Sequence, residues 1–264
     1  MSFMRFLISA TLASVLALPA TAETAAAKGE RIAAMADEAD NGFGDFIVDG
    51  EMTLRTARGA TSTRRFNTKT LEQREISTQK SILIFEWPGD IRNTALLTHT
   101  ISGREDAQWL FLPSVGRVKK ITGSGRSGSF VGSEFAYEDM VEQESANFTH
   151  VWLGDEACPT GAGTCYKLMR KPRNSSGYSQ QIVWIDTSAY RYQAIEYYDR
   201  RGQLLKTLKL TGYKKYIGRI WRPSKMEMVN HLTGKSTILN WSDYKFNQGL
   251  KASQFTRNAL SRLR

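Results

Sequence analysis

The stretch YQAIEYYDRRGQLLKTLKL, residues 192–210, decides the fold. Residues 192–198 and 204–210 are each rich in apolar and aromatic side chains, as strands are. Asp199-Arg200-Arg201-Gly202 is a turn between them. Two strands joined by so short a connection run antiparallel. The same grammar repeats on either side. Residues 166–170 and 181–186 read as strands upstream. Downstream, Ile217-Gly218-Arg219 turns, 225–228 alternates, His231-Leu232-Thr233-Gly234 turns, and 236–246 returns.

The first half gives shorter pieces of the same kind, at 51–55, 81–87, 94–100, 108–112 and 117–121. No helical crossover separates these strands, which excludes a parallel α/β sheet. A sheet of about ten strands has to curl or close. Helices are expected at the ends. Ile32, Met35, Ala36 and Ala39 share one helical face, with a stop at Asn41-Gly42. Near the C-terminus Ser253 is the expected N-cap of a helix bearing Phe255, Ala259 and Leu260. A further helical candidate covers 137–144.

Residues 1–22, MSFMRFLISATLASVLALPATA, combine a single Arg5, an apolar run over 6–18 and an Ala20-Thr21-Ala22 cleavage site. This is the pattern of an export signal, cleaved after Ala22. The apolar run is too short for a span of about 20 residues. The rest, 23–264, reads as one domain without linker, repeat or low-complexity tract. No cysteine precedes Cys158, so lipidation at the signal end is not expected. Cys158 and Cys165 flank a Pro-Thr-Gly-Ala-Gly-Thr loop and are expected to form a disulfide in an oxidising compartment. The formal net charge of +10 suits anionic surfaces or acidic partners. Nucleic acid is not expected beyond an export signal.

Chemistry-bearing motifs are few. His99, His150 and His231 are far apart and form no metal-ligand spacing, so no metal and no cofactor is expected. Gly123, Gly125 and Gly128 match G-x-G-x-x-G. That motif needs a buried strand before it and a helix after it, whereas the strand before it is Arg-Val-Lys-Lys-Ile. The stretch reads instead as a mobile loop. Glu134, Glu138, Asp139, Glu142 and Glu144 form a carboxylate cluster after the glycine stretch, and a hydrolase reading would rest on Glu134, Glu138 and Asp139. Several strands carry large apolar residues on both faces, as at 82–85 and 182–185. Either helices pack on one face and edge contacts cover the other, or a curved sheet holds an apolar ligand on its concave face beneath a helical lid.

Blocks along the chain carry a resemblance. LIFEWPGDIRNTALL (83–97), WLFLP (109–113), GRVKKI (116–121), SFVGSEFAYED (129–139), EYYD with Gly202, Trp221-Arg222-Pro223 and Phe255 resemble the LolA-like outer-membrane lipoprotein-sorting proteins. The likeness runs from about Arg31 to Leu260. It looks closest to the branch associated with RND-type (MMPL-like) inner-membrane exporters.

The resemblance implies a mainly β (α+β) fold, a curved antiparallel half-barrel of about eleven strands with helices over its concave face. It implies a monomeric, non-enzymatic periplasmic carrier of acyl chains, with lipid or lipoprotein cargo and an RND/MMPL-type transporter as partner. A non-transporting adaptor of such a transporter, and a periplasmic hydrolase, are the alternatives. Strand alternation assigns Leu83, Phe85, Trp87, Trp109, Phe111, Met226, Met228, Leu239 and Trp241 to the cavity. Glu86, Gln108, Glu227 and Asn240 take the opposite face. Phe130, Val131, Phe135 and Tyr137 are the expected lid, tethered by the glycine stretch. Arg117, Lys119, Lys120 and Arg126 are expected to meet headgroups or a partner. The family's lipoprotein carriers hold the lid with a strand arginine, for which Arg55, Arg64 and Arg65 are the positions available.

Overall fold

Alternating short apolar runs and turns build one large antiparallel sheet. The computed structural model describes residues 22–76, 78–161 and 163–263. The export signal expected over 1–22 lies outside them, save Ala22. A helix, α1 (Ala25–Asp40), comes first. Strands β1 (Asp45–Arg55), β2 (Thr61–Gln73), β3 (Thr78–Trp87), β4 (Ala95–Ile101), β5 (Ala107–Leu112) and β6 (Arg117–Ile121) follow. After a long connection come β7 (Phe148–Ala157), β8 (Thr164–Pro172), β9 (Tyr178–Asp186), β10 (Tyr192–Asp199) and β11 (Leu204–Thr211). A small hairpin, β12 (Lys214–Tyr216) and β13 (Ile220–Arg222), precedes β14 (Lys225–Asn230) and β15 (Ser236–Phe246). A one-turn helix, α2 (Arg257–Leu260), ends the chain.

Thirteen strands form a single sheet in the order β6-β5-β4-β3-β2-β1-β15-β14-β11-β10-β9-β8-β7, and β12 and β13 pair separately. The strand count therefore exceeds the expected eleven. Two strands escape a search for apolar runs. In β2, TSTRRFNTKTLEQ, only Phe66 and Leu71 are apolar. In β7 half the residues are exposed. Residues 122–147 join β6 to β7, the two outermost strands, and hold short 3-10 turns and one isolated antiparallel bridge, Ser129 to Ala136. The helix expected over 137–144 is one such turn, Tyr137–Asp139.

The concave face holds the main core: Met52, Phe66, Leu83, Phe85, Leu96, Leu168, Val183, Ile185, Ile195, Tyr197, Leu208, Met228 and Leu239. Gly50 leaves room for this packing, because a Cβ there would lie 2.3 Å from the Phe66 ring. A second cluster lies on the other face, where Phe255 and Leu260 cover Ile82, Ala95, Leu97 and Phe111. Both faces of this part of the sheet are thus buried. His99 donates from Nε2 to the Phe255 carbonyl at 2.7 Å and so helps fasten that C-terminal segment. The N-cap of α2 is Thr256, not the expected Ser253; its hydroxyl accepts from the Ala259 amide at 3.1 Å. Cys158 and Cys165 form the expected disulfide.

Candidate functional site

Helix α1 lies across one end of the concave face. Thr24 caps its N-terminus, and Ile32, Ala33 and Ala36 turn inward. Glu30 accepts from both the His150 amide and His150 Nδ1, each at 3.0 Å, tying the helix to β7. Gly29 rests directly on β7, since a Cβ there would meet the Trp152 amide nitrogen at 2.8 Å.

The segment 122–147 covers the other end. Its stretch 130–135 folds into a tight loop in which the Phe130 amide donates to the Phe135 carbonyl at 2.7 Å. Both phenyl rings are fully buried in the concave core. Phe130 stacks on Phe85 with ring centroids 5.8 Å apart, and Phe85 meets Phe66 at 5.7 Å. Val131 and Tyr137 pack against the same cluster. The stretch 123–127 is a single 3-10 turn with Gly123 at φ +52°.

Polar fastenings ring this cover. Arg64 donates to the Val131 carbonyl. Lys206 Nζ donates to the Glu134 carbonyl at 3.0 Å and to Asp139 Oδ2 at 2.6 Å, and both charged side chains are almost fully buried. Tyr178 donates its hydroxyl to Asp139 Oδ1 at 2.9 Å. The Glu134 amide donates to Thr237 Oγ1, and Asn230 donates to Glu134 Oε2 at 2.7 Å. Glu138 accepts from Ser176 Oγ at 2.6 Å and the Gly177 amide at 2.9 Å. The three carboxylates from which a hydrolase could be built are therefore engaged in holding the cover. Among the candidate arginines, Arg55 is exposed and Arg65 lies over the Trp87 ring, so Arg64 is the one that reaches the cover.

Between α1, the cover and the sheet lies a cavity of about 580 Å³, within the range of small-molecule sites. Leu83, Met226, Leu239 and Trp241 line it, as does Phe135. Phe85 and Met228 sit deeper, in the concave core. Three expected cavity residues stand elsewhere. Trp109 and Phe111 point to the opposite face, where the C-terminal segment buries them. Trp87 is 45% exposed at the end of β3. Alternation along β5 puts Gln108 on the concave side instead, donating to the Tyr137 carbonyl at 2.9 Å. Arg117, Lys119 and Lys120 are exposed on the edge strand β6 and do not line the cavity. Arg126 is not a free cation: it pairs with Glu105 at 2.7 Å and with the buried Asp106 at 3.4 Å.

Sequence reasoning picked out Glu142 and Glu144 only as members of a carboxylate cluster and missed the rest of the cavity's polar half. Thr68, Thr70, Ser81, Thr98 and Thr100 from β2–β4 form one wall. Asp37 and Asp40 of α1 and Glu142 and Glu144 of the cover border it. Burial raises the pKa of Asp37 and Glu144. Burial, with the Asp40 carboxylate beside it, pushes Glu142 up to about 7 against the pull of Arg222. The hydroxyl wall leaves a trace in the sequence, since polar residues fall on the inward parity of β2. Among the described residues no group of three His, Cys, Asp or Glu is arranged to hold a metal ion.

Residues 77–262 match a family model described as an uncharacterized protein. A domain assigned as an outer-membrane lipoprotein-sorting protein, from Vibrio parahaemolyticus, is 43% identical, with TM-score 0.86 over 90% of this chain and 100% of that one. A DUF1329 family protein from Desulfovibrio piger is 26% identical, with TM-score 0.84 over 90% of this chain and 99% of that one. A LolA superfamily protein from Nitrosomonas europaea shares the fold at 21% identity, with TM-score 0.68 over 88% of this chain and 98% of that one. None of the curated proteins matches the chain.

Proposed function

Since the chain belongs to the LolA-like outer-membrane lipoprotein-sorting family, we propose that it is a periplasmic carrier that shields acyl chains of a lipoprotein or lipid in its concave cavity. An acyl chain costs roughly 0.8 kcal/mol per CH₂ left in water, on the order of 10 kcal/mol for a long chain. Transfer between membranes therefore needs an apolar container that also releases. The single observation that supports this most is the cover. Phe130 and Phe135 occupy the concave core as a tenant would, and are held there by a few polar contacts at the rim. Cargo entering the cavity competes with these rings for the same surface, which keeps uptake reversible.

On this reading residues 1–22 direct export and are removed, and residues 23–264 work as a single unit. An inner-membrane RND/MMPL-type transporter is the proposed donor or receiver. Arg117, Lys119 and Lys120, exposed on β6, are the proposed contacts for anionic headgroups. The protein binds and does not catalyse. Native mass spectrometry of the protein purified from periplasm is expected to show bound lipid or acylated peptide. Protein that is empty there, and that also fails to bind a fluorescent fatty acid, would refute the carrier reading.

A further inference from the structure

The cavity is two-sided. One wall is aliphatic and aromatic, built from residues such as Leu208, Leu210, Met226 and Trp241; the other is hydroxyl-lined and bordered by carboxylates. A bare acyl chain satisfies only the first wall. Against the second it would leave polar groups dry and unpaired, which is costly. Two oxygens are already in that state: Thr68 Oγ1 and Glu144 Oε2 are closed to solvent and have no hydrogen-bond partner.

The charges are unbalanced as well. Each arginine lining the cavity has its own acid: Arg222 pairs with Asp40, Arg191 with Asp186 at 2.8 Å, and Arg74 with Glu38 at 3.9 Å. Asp37, Glu142 and Glu144 have no cation within salt-bridge distance among the described residues. Arg170, held by Gln181 and Gln143, acts on Asp37 from farther off, and Arg222 acts on Glu142, but the direct hydrogen-bond donors are neutral. The Ser145 amide donates to Asp37 at 2.8 Å, and Gln79 donates to Glu142 at 2.9 Å. An ionised carboxylate only accepts hydrogen bonds. The complement of such a compartment is a donor-only, positively charged group. This imbalance occurs inside a chain of net charge +10, so it does not follow from overall composition.

We propose that the cargo carries a primary ammonium head group, and that the head enters the cavity between Asp37, Glu142 and Glu144 while its apolar chain lies along the opposite wall. The proposal rests on the carrier reading and narrows it. An ammonium supplies three donors to the acceptor-rich end and relieves the desolvated carboxylates. An anionic head would meet them as like charges, and the two arginines that act on this end, Arg170 and Arg222, are outnumbered by Asp37, Asp40, Glu142 and Glu144.

The test compares dodecylamine, dodecanoate and dodecyl maltoside, which share one chain and differ in the head. Each displaces a neutral fluorescent monoacylglycerol from the full protein at pH 8, below micelle-forming concentrations. Dodecylamine is expected to bind at least tenfold more tightly than either of the others. Overall charge works against this result, because a basic protein repels an amine and attracts dodecanoate. In the Glu142→Gln, Glu144→Gln double variant the preference is expected to vanish while maltoside affinity stays, which also reports an intact cavity. Equal affinity for all three, tighter binding of dodecanoate, or an amine preference that survives in the variant overturns the proposal and leaves the carrier reading standing. Failure of all three ligands and the monoacylglycerol to bind overturns both.

Discussion

Replacing Lys206 by Met is expected to unfasten the cover before it unfolds the barrel. Lys206 and Asp139 are 2.6 Å apart with side chains only 5% and 2% exposed. Removing one partner of such a pair strands the other and typically costs about 3–5 kcal/mol. Asp139 keeps hydrogen bonds from the Tyr178 hydroxyl and the Ala136 amide at 2.6 Å, which places the cost near the lower end, about 3 kcal/mol. The Glu134 carbonyl also loses its Lys206 donor. Because Asp139 and Glu134 both belong to the cover, the loss falls on its attachment. Opening of the cover alone should then become about 100-fold more frequent, at 1.4 kcal/mol per factor of ten. Hydrogen exchange read by mass spectrometry checks this: amides of Phe130, Ser133 and Tyr137 should gain that factor, while those of β9 and β10 gain less. Adding Asp139→Asn should recover roughly 2 kcal/mol, since no buried charge is left unpaired. A change below about 1 kcal/mol, or equal acceleration in the cover and in β9, would refute the reasoning.

Arg64→Leu leaves the Val131 carbonyl without its donor, a loss of about 1–3 kcal/mol. Fluorescent fatty-acid uptake should be faster in stopped flow, and an unchanged rate would exclude Arg64 as a fastening. Gly29→Ala forces a methyl against the backbone of β7, which cannot swing aside; a loss of about 1–3 kcal/mol is expected in urea titrations. The pH dependence has two limbs. Glu142 is raised to about 7, so the folded state keeps a proton the unfolded state has released. Stability should fall as pH rises from about 4.5 to 7, by at most about 3 kcal/mol, and Glu142→Gln should flatten that limb. Asp186, held down to about 2 by burial-resisting bonds from Arg191, Ser188 and Ala189, acts oppositely: its contribution is present above about 4 and is lost as pH falls towards 2.

The antiparallel order was legible because turns such as Asp199-Arg200-Arg201-Gly202 are local, and local chemistry is written locally. The concave parity of β14 and β15 was legible from one polar neighbour each, Glu227 beside Met228 and Asn240 beside Leu239; on β3, where Ile82 and Ile84 flank Leu83, only Glu86 beside Phe85 marks it. On β5 the rule fails. Trp109 and Phe111 are apolar because Phe255 and Leu260 arrive from the far end of the chain to cover the outer face, while Gln108 faces inward to hold the cover. β2 was passed over for a related reason. Its inward residues, Thr68 and Thr70, line a polar wall, so the strand lacks the apolar signature by which strands are found. Lys206 carries no local mark at all, and Arg64 stood out only as one of three candidate arginines; each acts on residues 67 or more positions away.

The cover is not a flap hinged at one side. Residues 122–147 leave β6 and enter β7, so the segment spans the gap between the two rims of an open trough, anchored at both. Widening the trough draws the rims apart and tautens the span; slack in the span lets the rims relax. Cargo bulk is thereby converted into tension along one short piece of chain. Lengthening that tie by a few residues is expected to enlarge the guest and to shift the one wall that the tie itself supplies through Phe135, Glu142 and Glu144.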